Sequence, residues 1–597
     1  MSDDRVSILA EQIEQEFLPY VRKPGRYIGG EINQIKKDLA RCELTVALCF
    51  PDIYEVGMSH TGLAIIYECL NKMDSVAAER VFAPWIDAEK VLREKDIPLF
   101  SLESRASLRI FDIVGFSLTN ELCYTNVLNM LDLGSIGIRS RDRSDDDPLI
   151  IAGGGMSNCC EPAADFVDMF LLGEGEEAIV ELAEFFRGKK KAGATRKEIL
   201  AAISEKFDWA YVPEFHTGRK LQNAVVQDFD NASVPLAPIV PFVQAVHERV
   251  SVEIMRGCPG RCRFCQASFC RRPIRYRSVE RIIEVAKACY EATGFDTVSL
   301  LSLSTADYPH LEELVAGLHE CFHDKHVGIS LPSLRVDKQL KMLPKLLTPA
   351  CAGASLPLRK QGIRKGGLTI AVEAASEHLR RIINKPLKDE DLFAAVEEAY
   401  RAGWQRLKLY FIVGLPGETL EDVERIVDLS YELGKLRKKV DGKTGQINIT
   451  VSWFVPKPHT PLSWLGQRPK AYFEQAKRLI IDKKLKLRAR FLQFKFHDIE
   501  RSILESAIGR GDRKLGDVIE AAWQAGARFD LWDECFDHEL WRKAFEQYGI
   551  DIETAAQRQF DPEDSLPWDH LGGPDKKYLL GHFEEAKKEI ENSDCRT

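Results

Sequence analysis

The first third of the chain places its apolar residues in short, nearly unbroken runs: Leu44–Phe50, Asp112–Leu118, Leu149–Ala152 and Phe170–Leu172. Between them lie helical stretches, one opening near His60 and running to about Lys72, another from Tyr124 to Leu133. Continuous apolar strands separated by helices predict a parallel sheet covered on both faces, and such sheets place their ligands at the carboxyl ends of the strands. The turns Gly153-Gly154-Gly155 and Gly173-Glu174-Gly175-Glu176 fall there. Glycine-rich turns on their own signal little more than a tight bend, because glycine tolerates positive φ.

Farther along, the pattern changes to strand-then-helix units. The strands are expected at Val250–Met255, Thr297–Leu303, Gly328–Leu334, Gly367–Glu373, Arg406–Val413 and Gln446–Val455. Helices are expected at Val279–Ala292, Leu311–Phe322, Asp389–Ala402 and Leu420–Gly434. Six units rather than eight predict a partial, open (β/α) barrel with its active site at the strand carboxyl ends. The stretch Pro344–Arg364 fits none of these units and reads as a loop insertion. Helical spacing in Ile499–Ile508 and Leu515–Gln524, with Trp523, Trp532, Trp541 and Trp568, predicts a helical appendage packed against the barrel. The expected fold is α/β: a Rossmann-like domain over 1–235, a partial (β/α)6 barrel over 236–489 and a helical region over 490–597.

Directly after the Val250–Ile254 run comes Cys258-Pro-Gly-Arg-Cys262-Arg-Phe264-Cys265, three cysteines spaced three and two residues apart. Three thiolates in a tight loop can hold three corners of a four-iron cluster and leave the fourth iron without a protein ligand. Cys270 follows closely enough to complete a structural zinc site instead, although structural zinc usually draws two paired knuckles. The loop, with Phe264 before its last cysteine, resembles that of the radical S-adenosylmethionine (SAM) superfamily. The resemblance implies a [4Fe-4S] cluster on Cys258, Cys262 and Cys265, reductive cleavage of SAM and hydrogen abstraction from a substrate.

The same resemblance extends to the later strand ends. Ser302 and Ser304 fall where the superfamily receives the SAM amino group, Ser333 and Arg335 where ribose and carboxylate are bound. Glu373 would point into the barrel mouth, and Gly414 and Gly417 belong to a loop that packs near adenine. The front of the chain looks like the cobalamin-binding type of domain, with Gly153, Gly154, Gly173 and Glu174 in the corresponding segments. The Asp-x-His-x-x-Gly signature is absent: around His60 the chain reads Gly57-Met58-Ser59-His60-Thr61-Gly62. Cobalamin is then either held without histidine ligation or lost, and His60 is either a cobalt ligand or a helix-start contact. The Trp453–Pro461 segment, with Lys457 and His459, resembles one that closes the barrel in methylthiolating families. Those two residues either face substrate or form a polar lid.

Composition narrows the partners. A net charge of −9 argues against a protein built to coat nucleic acid. Seven arginines between Arg256 and Arg277 (Arg256, Arg261, Arg263, Arg271, Arg272, Arg275, Arg277) read as a patch for the cluster, an acidic electron donor or a phosphate-bearing substrate, or as a solvated loop edge. The basic run Lys483–Lys495 invites RNA, though such runs are usually solvated helix faces. Scattered cysteines, no apolar signal core and no membrane-length segment point to the cytoplasm. The expected function is a radical SAM enzyme, with methyl or methylthio transfer as an extension. Its expected partners are a donor such as flavodoxin or ferredoxin, an RNA or ribosome-associated protein substrate, and a separate partner chain. The rival is a non-catalytic iron–sulfur or zinc module for electron transfer or assembly.

Overall fold

The computed structural model describes residues 3–330 and 367–594. Strands β1 (Leu44–Phe50), β2 (Val76–Phe82), β3 (Ile113–Ser117), β4 (Leu149–Gly153), β5 (Met169–Leu171) and β6 (Ala210–Tyr211) form a sheet in the order β2-β1-β3-β4-β5-β6, parallel except for β6. Every residue of β1 and β2 is buried. Leu44, Val46 and Leu48 pack with the helices Thr61–Asn71 and Glu176–Lys191, while Ala47 and Cys49 join the core that holds the helix Tyr124–Leu133. The apolar runs thus reflect a sheet with helices on both sides. β2 escapes the sequence pattern because Glu79 and Arg80 interrupt it. Both are buried: Ser101 and Ser104 donate to Glu79, and Arg80 pairs with Glu31 at 2.9 Å and Glu103 at 2.6 Å.

The barrel follows. β7 (Val250–Glu253) leads into an antiparallel ribbon of β8 (Met255–Arg256) and β9 (Arg275–Tyr276), which brackets the cysteine loop. β7, β10 (Thr297–Leu301) and β11 (Gly328–Ser330) form one parallel sheet, ordered β11-β10-β7. β12 (Leu368–Glu373), β13 (Arg406–Val413), β14 (Gln446–Trp453) and β15 (Leu492–Phe496) form a second, also parallel. The Leu334 end of the expected third strand, Ser333, Arg335 and the Pro344–Arg364 insertion lie outside the described residues. β15 was not foreseen from the sequence, because its Gln493 and Lys495 read as part of a basic helix. In the sheet β12–β15 burial alternates: Leu407, Leu409, Phe411 and Val413 lie under helices, while Arg406, Lys408 and Tyr410 are exposed.

The helices Ile499–Gly509 and Leu515–Gln524 reach the N-terminal domain, and His538–Gln547 and Ile552–Gln557 pack on them. Trp532 Nε1 donates to Asp52 at 3.0 Å, Thr125 to Asp530 at 2.7 Å, and Arg139 pairs with Asp517 at 2.6 Å. A last helix, Lys576–Asp594, crosses the cysteine loop. Among the described residues no helix is long and apolar enough to cross a membrane.

Candidate active site

The cysteine loop leaves β8 through Gly257, whose φ of +89° and whose would-be Cβ, 2.8 Å from the Arg271 carbonyl, admit only glycine without strain. Arg272 donates to the carbonyls of Cys258 and Gly260, both at 3.1 Å, and of Ser268 at 2.9 Å. Outside the loop, the Arg263 amide donates to Ile383 O at 2.9 Å and its guanidinium to Ile382 O at 2.7 Å. Asn384 donates to Arg261 O at 2.9 Å. The loop is therefore held on one side by the turn after the helix Glu377–Ile382. On the other side the C-terminal helix grips it: Glu585 pairs with Arg263 at 2.8 Å, Tyr578 bonds Arg261, and Tyr578 and His582 lie against Phe269.

Burial pushes the Cys262 thiol up to about 11; Lys385 pulls it down, and Cys265, Glu373 and Cys258 push it further up. The three thiols and the Lys385–Glu373 pair thus share one electrostatic neighbourhood. Cys270 is half-buried, and desolvation pushes its thiol up to about 12, with Cys265 adding to the rise. Among the described residues no three Cys, His, Asp or Glu side chains close around a single metal ion. Three thiols on one clamped loop are instead a donor set suited to corners of a four-iron cluster.

Glu373 ends β12 at a register shift, with φ at +67°, a conformation that costs a non-glycine residue energy and is typical of functional positions. Its Oε1 accepts from Lys385 Nζ at 2.9 Å. Sequence reasoning missed Lys385; the only local hint was Asn384, a residue suited to the left-handed turn it adopts at φ +54°. Ser302 and Ser304 bond within their own loop, to Thr305 at 2.7 Å and Asp307 at 2.6 Å. The Gly414 amide donates to the buried Glu418 at 2.6 Å, and Tyr472 donates to the same oxygen at 2.7 Å. Burial pushes Glu418 up to about 7. Gly417 lies under Ile382 and Ile590.

Six of the seven arginines of the patch bond within the protein, Arg261, Arg263 and Arg272 as described above. Arg256 pairs with Glu176 at 2.6 Å and Glu253 at 2.7 Å, Arg275 pairs with Glu174 at 2.5 Å, and Arg277 bonds the Asp230 carbonyl at 2.8 Å. These pairs tie the ribbon to the N-terminal domain, so Glu174 serves the junction. Of the other sheet-edge residues, Gly173 carries φ +94° and approaches so close to the Asn223-Ala224 backbone that a Cβ would stand 2.4 Å from Ala224 O. The Gly153 carbonyl accepts from the Leu118 amide at 2.7 Å, and that of Gly154 from the Ser157 hydroxyl at 2.7 Å. Asn158 donates to Leu571 O at 2.6 Å and Asn223 at 2.7 Å, and His459 bonds Asn158 O at 2.7 Å. Burial lowers His459 to about 4. Lys457 joins Glu121 at 2.7 Å and Glu505 at 2.6 Å, linking all three regions. His60 caps a helix, its Nδ1 accepting from Leu63 N at 3.1 Å. His60 is thus a helix-start contact, and the glycine turns at this edge pack against the chain's own segments.

Known proteins place these features. The family model for radical SAM proteins, N-terminal, matches residues 62–213, and that for the radical SAM superfamily matches residues 252–430. The chain belongs to the radical SAM superfamily. It is an enzyme of that class, with a [4Fe-4S] cluster and SAM as cofactors; the rival module without catalysis is not supported. It is 26% identical over 483 residues to an uncharacterized protein of Methanocaldococcus jannaschii, covering 80% of this chain and 90% of that one. It is 28% identical over 197 residues to the ribosomal protein uS12 methylthiotransferase RimO of Desulfotalea psychrophila, covering 33% of this chain and 42% of that enzyme. The solved cobalamin-dependent S-adenosylmethionine radical enzyme OxsB superposes with a TM-score of 0.49 at 15% identity, covering 92% of this chain and 80% of that one.

Proposed function

We propose that Cys258, Cys262 and Cys265 ligate three irons of the cluster and that the open barrel mouth beside them carries out hydrogen abstraction from a substrate carbon. The observation that carries this reading is the clamp: Arg263, Arg272 and Asn384 fix one loop bearing three thiols against the turn that delivers Lys385 to Glu373. When bound, the cluster supplies the electron that cleaves SAM. Lys385 is the cation placed to receive the SAM carboxylate, and Glu373 the acceptor for its amino or hydroxyl groups. The Gly414–Glu418 turn supports the adenine side, braced by Tyr472. The hydroxyls of Ser302 and Ser304 are already bonded, which leaves their loop to offer backbone groups. Ser333 and Arg335 stay assigned to SAM from the sequence alone.

The proposed division is an N-terminal domain to about residue 235, a barrel that includes β15, and a helical region beyond it. Enzymes of this class need a reductant, for which a flavodoxin or ferredoxin is proposed here. An oxygen-sensitive cluster suits a reducing cytoplasm. Partial likeness to a methylthiotransferase supports methyl or methylthio transfer to RNA or a ribosome-associated protein as the net reaction.

The test is anaerobic reconstitution with iron and sulfide, followed by dithionite and SAM. The wild type forms 5′-deoxyadenosine, and Cys262→Ala forms none. Lys385→Ala keeps the cluster absorbance but needs about ten to a hundred times more SAM, the cost of one charge-assisted hydrogen bond. Product from the Cys262 variant would remove the ligand assignment.

A further inference from the structure

Among the described residues, helices cover one face of the sheet β12–β15 and none covers the other. Strand register gathers the uncovered positions into rows. Thr369, Lys408, Asn448 and Gln493 form one row; Ala371, Tyr410, Thr450 and Lys495 form the next. Closed barrels fill such inward positions with branched apolar side chains. Here they carry amides, hydroxyls, two ammonium groups and a phenol ring that is 41% exposed. Arg406 adds a third cation at the foot of β13, 3.3 Å from Gln446. On the sheet β11-β10-β7 the corresponding row is Ser251, Ser299 and Ser330, of which Ser299 is buried.

The charge on this face is one-sided. Among the described residues no carboxylate pairs with Lys408 or Lys495, and the one carboxylate on the face, Glu373, is taken by Lys385. Asp533 lies near Lys495 without pairing with it; in a chain of net charge −9, exposed cations that no described carboxylate pairs mark a place for an anion. The Cα atoms of Lys408 and Lys495 lie two strands and two residues apart, about 12 Å from strand spacing and rise. That is too far for one phosphate and suitable for two along one strand.

We infer that this face receives a single-stranded RNA segment. Lys408 and Lys495 engage backbone phosphates, Tyr410 offers a flat surface to a base, and the amide and hydroxyl rows bond base edges and 2′-hydroxyls. An acidic peptide would use the cations alone; the exposed ring and the neutral hydrogen-bonding rows favour nucleotides. The inference rests on the reading above, in which RNA is a substrate.

Fluorescence anisotropy of the reconstituted holoenzyme with a short, labelled, mixed-sequence RNA tests it, between about 50 and 200 mM salt. The wild type binds, and more weakly as salt rises. Lys408→Gln with Lys495→Gln weakens binding about tenfold or more and flattens the log–log salt slope by about 1.4, since each phosphate contact on a single strand contributes about 0.7. Tyr410→Ala weakens binding about fivefold to a hundredfold. Lys197→Gln, on an exposed helix remote from this sheet, binds like the wild type. Far-UV circular dichroism and cluster absorbance check that each variant is folded and loaded. RNA binding that is absent in the wild type, unchanged in the double variant, or displaced equally well by polyglutamate overturns the inference. Formation of 5′-deoxyadenosine by the wild type without RNA reads the cluster chemistry separately, so the two readings fail independently.

Discussion

The N-terminal sheet and the barrel sheets are built from the same alternation of strand and helix, yet they treat polar residues in opposite ways. In the first, charge lies inside and is matched: Arg80 sits between Glu31 and Glu103, and Arg143 meets Asp168 with neither side chain exposed. In the second, every other residue of β13 lies on the face away from the helices, and Lys408 and Tyr410 stand in the open. Apolar continuity therefore marks a scaffold, and apolar alternation marks a wall on which chemistry can be presented. Buried pairs such as Arg80–Glu31 contribute little net stability against an apolar core, but losing one partner is costly.

The comparison breaks most visibly under adjacent substitutions. Ile150 and Ile151 of β4 belong to the cores on opposite faces of the N-terminal sheet, so Ile150→Ala and Ile151→Ala should each cost about 2–5 kcal/mol in urea unfolding. If either is tolerated, the double coverage is wrong. A smaller effect concerns pH. Glu418 has a folded pKa of about 7, above its ordinary value of 4.5, so the native state holds a proton that the unfolded chain releases. Stability that is fully present below about pH 4.5 should decline as pH rises toward 7, by about 3 kcal/mol at most, and Glu418→Gln should remove that slope. Urea midpoints at pH 5 and 7 read it; a variant as pH-sensitive as the wild type would assign the slope elsewhere. The smallest effect belongs to the open wall: Tyr410→Ala should change stability by no more than about 0.5 kcal/mol. A large loss would mean that this ring is packed rather than presented.

How much of this was legible in the sequence depended on whether a residue's neighbours were local. β1 and β13 match the expected strands residue for residue, because burial wrote itself into a run in one and an alternation in the other. β2 was hidden by Glu79 and Arg80, whose partners lie on other segments, and β15 by the charges on its uncovered face. The three cysteines were legible because their spacing is their geometry. Lys385 was not, since only the folded turn brings it to Glu373. Arg256 and Arg275 read as free charge because their acceptors Glu176 and Glu174 come from a distant part of the chain. The tryptophans were expected on the barrel, yet Trp532 reaches Asp52 of the N-terminal domain.

The grip of the C-terminal helix on the cysteine loop has a consequence for how the molecule assembles. Arg263 and Glu585 are separated by 322 positions. Contacts of such span require a large loop to close before they give anything back, and they make folding slow. The local parts, the ribbon β8–β9 and the Arg272 bonds, can form long before that latch.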